Sequence, residues 1–158
     1  MEFGQTIHQW PLAAFLRRDP LAYPIVESVH LVALALLFGS LMVLDLRILG
    51  VSRQLSLRQL ARHVLPWTLI AFAVVVISGA LLFVAHAADL VGNSMFISKL
   101  VLIGLAGINA ALFHVGPYVQ VASWDVARVA PMNARLLAGM SVIIWIAVIV
   151  CGRFIAYE

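Results

Sequence analysis

The chain has 158 residues, of which 64% are hydrophobic and only 11% are charged, and its formal net charge is +3. Its mean hydropathy of +1.07 lies far above that of a soluble domain, which needs about twice as many charged residues to cover its surface. Composition therefore excludes a soluble globular protein and indicates an integral membrane protein.

Four apolar segments are each long enough to span the hydrocarbon core, which takes roughly 20 residues of helix. They cover about residues 24–46, 66–88, 96–116 and 135–157. Pro24 and Pro66 fall in the first turns of the first two segments, where a missing backbone N–H costs little. Because the connecting stretches are too short for a second domain, residues 1–158 are predicted to form a single all-α domain, an integral membrane four-helix bundle.

The N-terminal 23 residues contain a short amphipathic stretch. Its apolar part runs from Trp10 to Leu16 and is followed by Arg17 and Arg18. The apolar part is too short for a signal peptide, and no basic segment precedes it. We therefore expect residues 1–23 to be retained and to form a short periplasmic helix lying at the membrane interface.

The distribution of Lys and Arg predicts the orientation, because positively charged loops resist translocation. The face reached after the first and third segments carries six arginines and two aspartates, a net charge of +4. The opposite face carries four basic and five acidic residues, a net charge of −1. In a bacterial inner membrane this asymmetry places both termini in the periplasm. The basic balance thus follows from topology, and no aromatic-basic surface indicates a nucleic-acid partner.

The first segment carries ionisable residues in a region where hydrocarbon disfavours them. At 100° per residue, Glu27 and Asp45 project within about 60° of His30, so the three share one stripe of the helix. Intramembrane ionisable residues normally turn away from lipid, so this stripe should face the bundle interior, where Glu27 can hydrogen-bond His30. The structural alternative is that Glu27 and Asp45 are solvated near the interfaces and that Asp45 pairs with Arg47 or another loop arginine.

Four histidines sort into two couples according to their depth in the predicted helices. His30 and His86 lie near the outer face, and His63 and His114 lie near the cytoplasmic face. His30 and His114 are roughly 18 Å apart along the helix axes, so one metal cannot bind both. Two imidazoles at one depth on different helices are the arrangement that ligates a haem iron within a bundle. A non-haem metal is an alternative if carboxylates complete its shell. Weaker axial ligands are Met95 and Met132.

Two glycines lie two helical turns before two of these histidines. Gly79 precedes His86 by seven residues and Gly107 precedes His114 by seven, so each lies within about 20° of its histidine's face. The missing side chains predict room for a macrocycle, although small residues also mark tight helix packing in membranes. Candidate partners for haem propionates are arginines at both ends, namely Arg153 outside and Arg47, Arg62 and Arg135 inside.

The third segment holds two further polar residues. Lys99 is expected either to snorkel outward or to pair with Glu27. Asn109 projects about 140° away from His114, so we expect it to hydrogen-bond another helix rather than share a ligand with that histidine.

Five stretches carry a resemblance to a known family: "YPIVESVH", "GSLMVLDLRILG", "LPWTLIAFA", "FISKLVLIGLAGINAALFH" and "GRFIAY". They resemble a family of uncharacterised small bacterial inner-membrane proteins with four helices, and the likeness covers nearly the whole chain. The arrangement is loosely similar to four-helix b-type cytochromes and to copper-resistance membrane proteins. The family's polar pattern does not extend to His63 or His86, but it matches at Glu27, His30, Asp45, Arg47, Lys99, Asn109, His114 and Arg153.

Two functional hypotheses follow from these observations. In the first, the protein binds one or two haem b groups and acts as a membrane oxidoreductase that passes electrons within or across the inner membrane, between quinol and a periplasmic partner. In the second, it is a non-redox transporter, or an accessory subunit whose buried polar residues fix helix packing. No nucleophile with an adjacent base can be assembled, so no catalytic residue is assigned. The lipid-facing Leu, Ile and Val side chains are compatible with a homo-oligomer.

Overall fold

A computed structural model describes residues 2–157, and within this range the chain forms helices and no β-strand. Met1 and Glu158, which the predicted domain includes, lie outside the described residues. The α-helices in chain order are α1 (Glu2–His8), α2 (Pro11–Arg18), α3 (Ala22–Leu49), α4 (Leu57–Ala85), α5 (Ala87–Leu90), α6 (Ser94–Val115) and α7 (Met132–Phe154). Short 3₁₀ helices follow α6 at Pro117–Ser123 and α7 at Ile155–Tyr157.

Four of these helices, α3, α4, α6 and α7, are long and apolar enough to cross a membrane. The prediction of an all-α bundle with four membrane-spanning helices is therefore confirmed. Each span lies close to its predicted range except at the start of α4. That helix begins at Leu57, because the hydroxyl of Ser56 caps it by accepting the Gln59 N–H at 3.2 Å. Pro66 consequently lies inside α4 and not in its first turn.

The chain ends of the bundle lie on one face, which we call the terminus side, together with α1, α2 and α5. The opposite face, which we call the loop side, carries residues 50–56 and 116–131. α3 reaches the loop side and ends at Gly50, whose φ of +116° is left-handed and favours glycine. There Gly50 N–H donates to the carbonyl of Leu46 at 3.1 Å.

The N-terminal segment forms two helices where one was expected. α2 corresponds to the predicted interfacial helix, and it buries Ala13 and Leu16 against the protein while Trp10 and Phe15 stay exposed. α1 packs on α5. The guanidinium of Arg17 joins both parts, since it donates to the Ala85 carbonyl at 2.9 Å and to the His8 carbonyl at 2.8 Å. The exposed apolar side of α2 is what an interfacial position requires.

The four long helices form a bundle that is open along one side. α3 packs along α4, α6 packs along α7, and α3 joins these two pairs by packing on α7. α4 and α6 make almost no close backbone approach. Their side chains meet on the terminus side, where the rings of Phe83 and Phe96 stack with centroids 5.4 Å apart. A groove therefore runs between α4 and α6, with α3 and α7 as its floor.

The loop side is tied together by Arg47, which is only 2% exposed. Its guanidinium donates to the backbone carbonyls of Leu55, Arg53 and Asp125. All three acceptors belong to loop segments and not to a carboxylate, so the alternative in which Asp45 pairs with Arg47 is not formed. Arg47 instead fastens the two loops to the end of α3.

The carboxylate of Asp125 completes this loop contact. It accepts the Ser56 hydroxyl at 2.8 Å and the Arg58 N–H at 2.9 Å. Burial by itself would raise the pKa of Asp125, but the hydrogen bonds and the charge of Arg58 outweigh burial and hold the pKa below its usual value.

Candidate functional site

The groove between α4 and α6 contains two cavities. The terminus-side cavity has a volume of about 400 Å³ and the loop-side cavity has a volume of about 360 Å³. Both volumes lie in the range of pockets that hold small organic ligands. The two cavities are separated by a layer of apolar side chains that lines both of them: Leu37, Phe72, Ile103 and Trp145.

Both cavities open sideways, between α4 and α6. Exposed apolar side chains line the rims, namely Leu69 at the loop-side cavity and Val76 and Leu100 at the terminus-side cavity. Since these helices are membrane spans, the openings face the region that lipid occupies.

His30 is the titratable ring of the terminus-side cavity, and its tautomer follows from its neighbours. Its Nδ1 lies 2.9 Å from the Ser78 hydroxyl oxygen, which lies 2.6 Å from the Val74 carbonyl oxygen. Two oxygens this close need a proton between them, and only Ser78 can supply it. Ser78 therefore accepts from His30 Nδ1–H, and in the neutral imidazole this leaves Nε2 without a proton. That is the form of histidine that ligates a metal.

Gly79 and Lys99 are the other distinctive residues of the terminus-side cavity. A Cβ at Gly79 would lie only 3.2 Å from His30 Cε1, so the glycine makes room for the imidazole itself. Lys99 lies along α7, with its Nζ 3.6 Å from the position of a Cβ on Gly152. It therefore stays within the bundle beside the cavity, and the alternative pairing with Glu27 is not formed. The terminus-side cavity thus combines one imidazole with one cation.

Asp45 is the acidic residue of the loop-side cavity and is only 8% exposed. Its Oδ2 has no hydrogen-bond partner among the described residues. Its polar neighbour is Ser141 on α7. Around it the cavity wall is apolar, apart from four other polar side chains: Thr68, Asn109, His114 and Tyr118.

Three of the other polar side chains of the loop-side cavity form hydrogen bonds with groups on the helices. The Asn109 amide donates to the Leu137 carbonyl at 3.1 Å, the interhelical bond that the sequence predicts. Thr68 bridges to Ser40 of α3 at 2.9 Å. His114 donates from Nδ1 to the Ala110 carbonyl at 2.8 Å, a bond within its own helix.

The structure does not bring the predicted histidine couples into shared cavities. His86 caps α4 and packs edge-on against Tyr23, with ring centroids 5.0 Å apart. Along α4 it lies about 12 Å beyond Ser78, the residue level with His30. His63 is exposed and does not line the loop-side cavity, whereas His114 does.

The arginines expected at haem propionates also lie away from the cavities. Arg153 is exposed and donates to the Tyr157 hydroxyl at 3.0 Å. Arg62 and Arg135 are exposed and line neither cavity, and Arg47 is engaged by loop carbonyls. Of the two predicted glycines, Gly79 lines the terminus-side cavity and Gly107 lines the loop-side cavity.

A family model, described as a family of unknown function (DUF6644), matches residues 21–158. The chain belongs to this family. The match covers all four long helices and both cavities of the DUF6644 fold, and it begins after α1 and α2. No curated protein and no solved structure matches the chain. The resemblance to an uncharacterised family is therefore confirmed.

The sequence did not identify Ser78 as a neighbour of His30, and it did not assign Lys99 to a binding site. Ser78 directly precedes Gly79 in "ISGALL", but nothing in the sequence shows that it lies opposite His30. A signal was available for Lys99, since a cation one turn inside an apolar helix is either snorkelling or functional.

Proposed function

We propose that the protein binds haem b in the terminus-side cavity and transfers electrons within the membrane as an oxidoreductase. The observation that carries the proposal is the contact of His30 Nδ1 with the Ser78 hydroxyl at 2.9 Å, because a neutral imidazole that donates there has Nε2 free to ligate a metal. Ligating histidines in metalloproteins hold their second nitrogen in this way. A cavity of about 400 Å³ adjoins the ring, and Gly79 keeps the space beside it clear.

Lys99 supplies the second element of the haem site. Its ammonium belongs to the lining of the terminus-side cavity and is not paired with Glu27. A haem propionate placed beside Lys99 would form a charge-assisted contact, which is stronger in an apolar environment than in water. Lys99 thus takes the role that sequence analysis gave to the arginines.

One haem fits the charge distribution better than two. The lining of the loop-side cavity contains no Lys or Arg that could pair with a propionate, and its acidic residue, Asp45, offers none either. The terminus-side cavity offers one imidazole, because His86 packs on Tyr23. We therefore propose a single haem, whose iron His30 would ligate.

Haem supplies one-electron redox chemistry, and the protein orients it and controls access. The gap between α4 and α6 gives quinol a route from the bilayer to the terminus-side cavity. A periplasmic redox partner fits the same proposal, because the cavity lies on the terminus side. This role assumes a bacterial inner membrane with both termini in the periplasm.

The orientation has its own support and its own test. The net charges of +4 and −1 computed for the two faces favour a cytoplasmic loop side under the positive-inside rule. A C-terminal alkaline phosphatase fusion should be active, and a C-terminal green fluorescent protein fusion should be dark. Fluorescence without phosphatase activity would reverse the orientation.

Absorption spectroscopy tests the proposed function directly. Protein purified in detergent from haem-replete cells should show a haem Soret band and, after reduction with dithionite, the α-band of a b-type haem. Because one imidazole lines the cavity, carbon monoxide should shift the spectrum of the reduced protein. A colourless preparation would reject the haem proposal and favour the non-redox transporter or accessory subunit.

A further inference from the structure

The carboxyl of Asp45 has the Ser141 hydroxyl beside it but no ionic partner among the described residues. The side chain is more than nine-tenths buried, lies inside a membrane span and lines the loop-side cavity. Oδ2 makes no hydrogen bond with a described residue. An unpaired carboxylate in such a setting costs several kcal/mol, so buried charges are normally neutralised or paired. Intramembrane carboxyls of this kind are typically functional.

Asp45 can rest as a neutral acid because no cation faces it. On its own helix the nearest charge is Arg47, which is turned to the loop carbonyls. The cavity-lining parts of α4 and α7 carry no charged residue, and α6 and the following 3₁₀ helix contribute the titratable rings of His114 and Tyr118. His114 is exposed and its Nδ1–H bonds to Ala110. A carboxyl in this setting can be neutral while the cavity is empty and can carry its charge when a cation lies beside it.

The rest of the loop-side cavity suits a bulky cation. Four aromatic side chains line it, namely Phe72, Phe113, Tyr118 and Trp145. The rings of Phe113, His114 and Tyr118 form one cluster, with centroids 5.3 to 5.8 Å apart. Aromatic faces attract organic cations, and the attraction strengthens when water is excluded. Gly107 leaves the α6 rim open, since a Cβ there would have no neighbour within 4 Å.

We propose that the loop-side cavity is a binding site for lipophilic cations, with Asp45 as the counter-charge. The cation enters from the bilayer between α4 and α6, and the carboxyl releases its proton as the cation binds. Charge is balanced in this exchange, because one positive charge enters the cavity as one proton leaves. The proposal does not depend on haem, which would occupy the terminus-side cavity.

Binding of tetraphenylphosphonium to the purified protein tests the site, by equilibrium dialysis in detergent. Because one proton leaves per cation, the affinity should rise about tenfold per pH unit while Asp45 is protonated in the free protein. At the highest pH of the series, Asp45→Asn should weaken tetraphenylphosphonium binding at least tenfold. Asp45→Glu should retain most of the affinity. Glu27→Gln, which removes an exposed carboxyl at the other end of α3, should leave binding unchanged.

A neutral compound of similar shape, triphenylphosphine oxide, separates charge recognition from simple filling of an apolar groove. Its binding should not depend on pH and should survive Asp45→Asn. If the cation binds equally well at every pH and equally well to the folded Asp45→Asn protein, the cavity is only an apolar groove and the proposal is wrong. If the variant does not fold, the pH series on the unmodified protein and on His114→Ala, which removes the imidazole of this cavity, decides the question. Because dialysis is independent of colour, the result stands whether or not haem is found.

Discussion

The terminus-side and loop-side cavities share a wall and both open between α4 and α6, yet one is lined by basic side chains and the other by an acidic side chain. The terminus-side cavity joins the imidazole of His30 to the ammonium of Lys99, whereas the loop-side cavity is built around the carboxyl of Asp45. Apolar linings of this kind discriminate poorly between ligands of similar size. The comparison teaches that two cavities with similar apolar walls can differ in the polar groups they present: His30 of α3 and Lys99 of α6 in one, and Asp45 of α3 in the other.

The largest effect on ligand binding is expected when a leucine side chain replaces the glycine that lines each cavity. Gly79→Leu should reduce haem occupancy at least about tenfold, because its Cβ alone would press on His30 at 3.2 Å. Gly107→Leu should leave haem bound, since it lines only the loop-side cavity, and should weaken tetraphenylphosphonium binding. Haem-to-protein ratio and equilibrium dialysis measure the two outcomes.

Each glycine variant is the control for the other. Size-exclusion chromatography should show both as folded proteins, because neither glycine has a positive φ. Equal loss of haem in both variants would mean that the two cavities act as one site.

A smaller effect is expected from the hydroxyl that holds His30. Ser78→Ala removes the acceptor of the His30 Nδ1–H and leaves the residues that line the terminus-side cavity unchanged. It should therefore weaken haem binding about tenfold and shift the midpoint potential of the haem. Thr68→Ala is the matched control, since it removes a buried hydroxyl of α4 beside the other cavity. Potentiometric titration followed by absorbance compares the variants. An unchanged potential in Ser78→Ala would show that Ser78 does not position the ligand.

The smallest expected effect concerns the loop contact at the end of the loop-side cavity. Since the folded state lowers the pKa of Asp125, its carboxylate stabilises the fold above the unfolded pKa of about 3.9. This contribution is lost as the pH falls through the lower folded value. Because Asp125 is partly exposed, we expect less than about 1 kcal/mol.

Thermal unfolding between about pH 6 and pH 3 checks this prediction. Asp125→Asn should have a lower Tm than the unmodified protein at the higher pH, and the difference should shrink at the lower pH. A difference that grows toward acid would contradict the assigned sign.

The sequence predicts the spans well because hydropathy depends only on composition along the chain. It also identifies His30 and Asp45 as inward-facing residues, since both lie on one stripe of a helix. Glu27 lies on the same stripe but is exposed, and His30 contacts Ser78 instead of Glu27. The pairing of His30 with His86 depends on the register between α3 and α4, which side-chain contacts such as His30 with Ser78 and Ser40 with Thr68 reveal. No periodicity encodes that register.

The extent of α4 is a second feature that hydropathy does not reveal. The helix starts at Leu57 because the Ser56 cap satisfies its first turn, although residues 57–65 include several polar side chains. Likewise, the absence of close packing between α4 and α6 is a property of the assembled helices. The groove, and hence the separation into two cavities, could not be predicted from the sequence.

Haem content of His30→Ala and His114→Ala, measured as reduced-minus-oxidised spectra at equal protein concentration, tests the central claim most directly. Each variant removes one imidazole that lines one cavity. The account predicts that His30→Ala loses its b-type bands and that His114→Ala keeps them in full. Loss of the bands in His114→Ala with their retention in His30→Ala would contradict it.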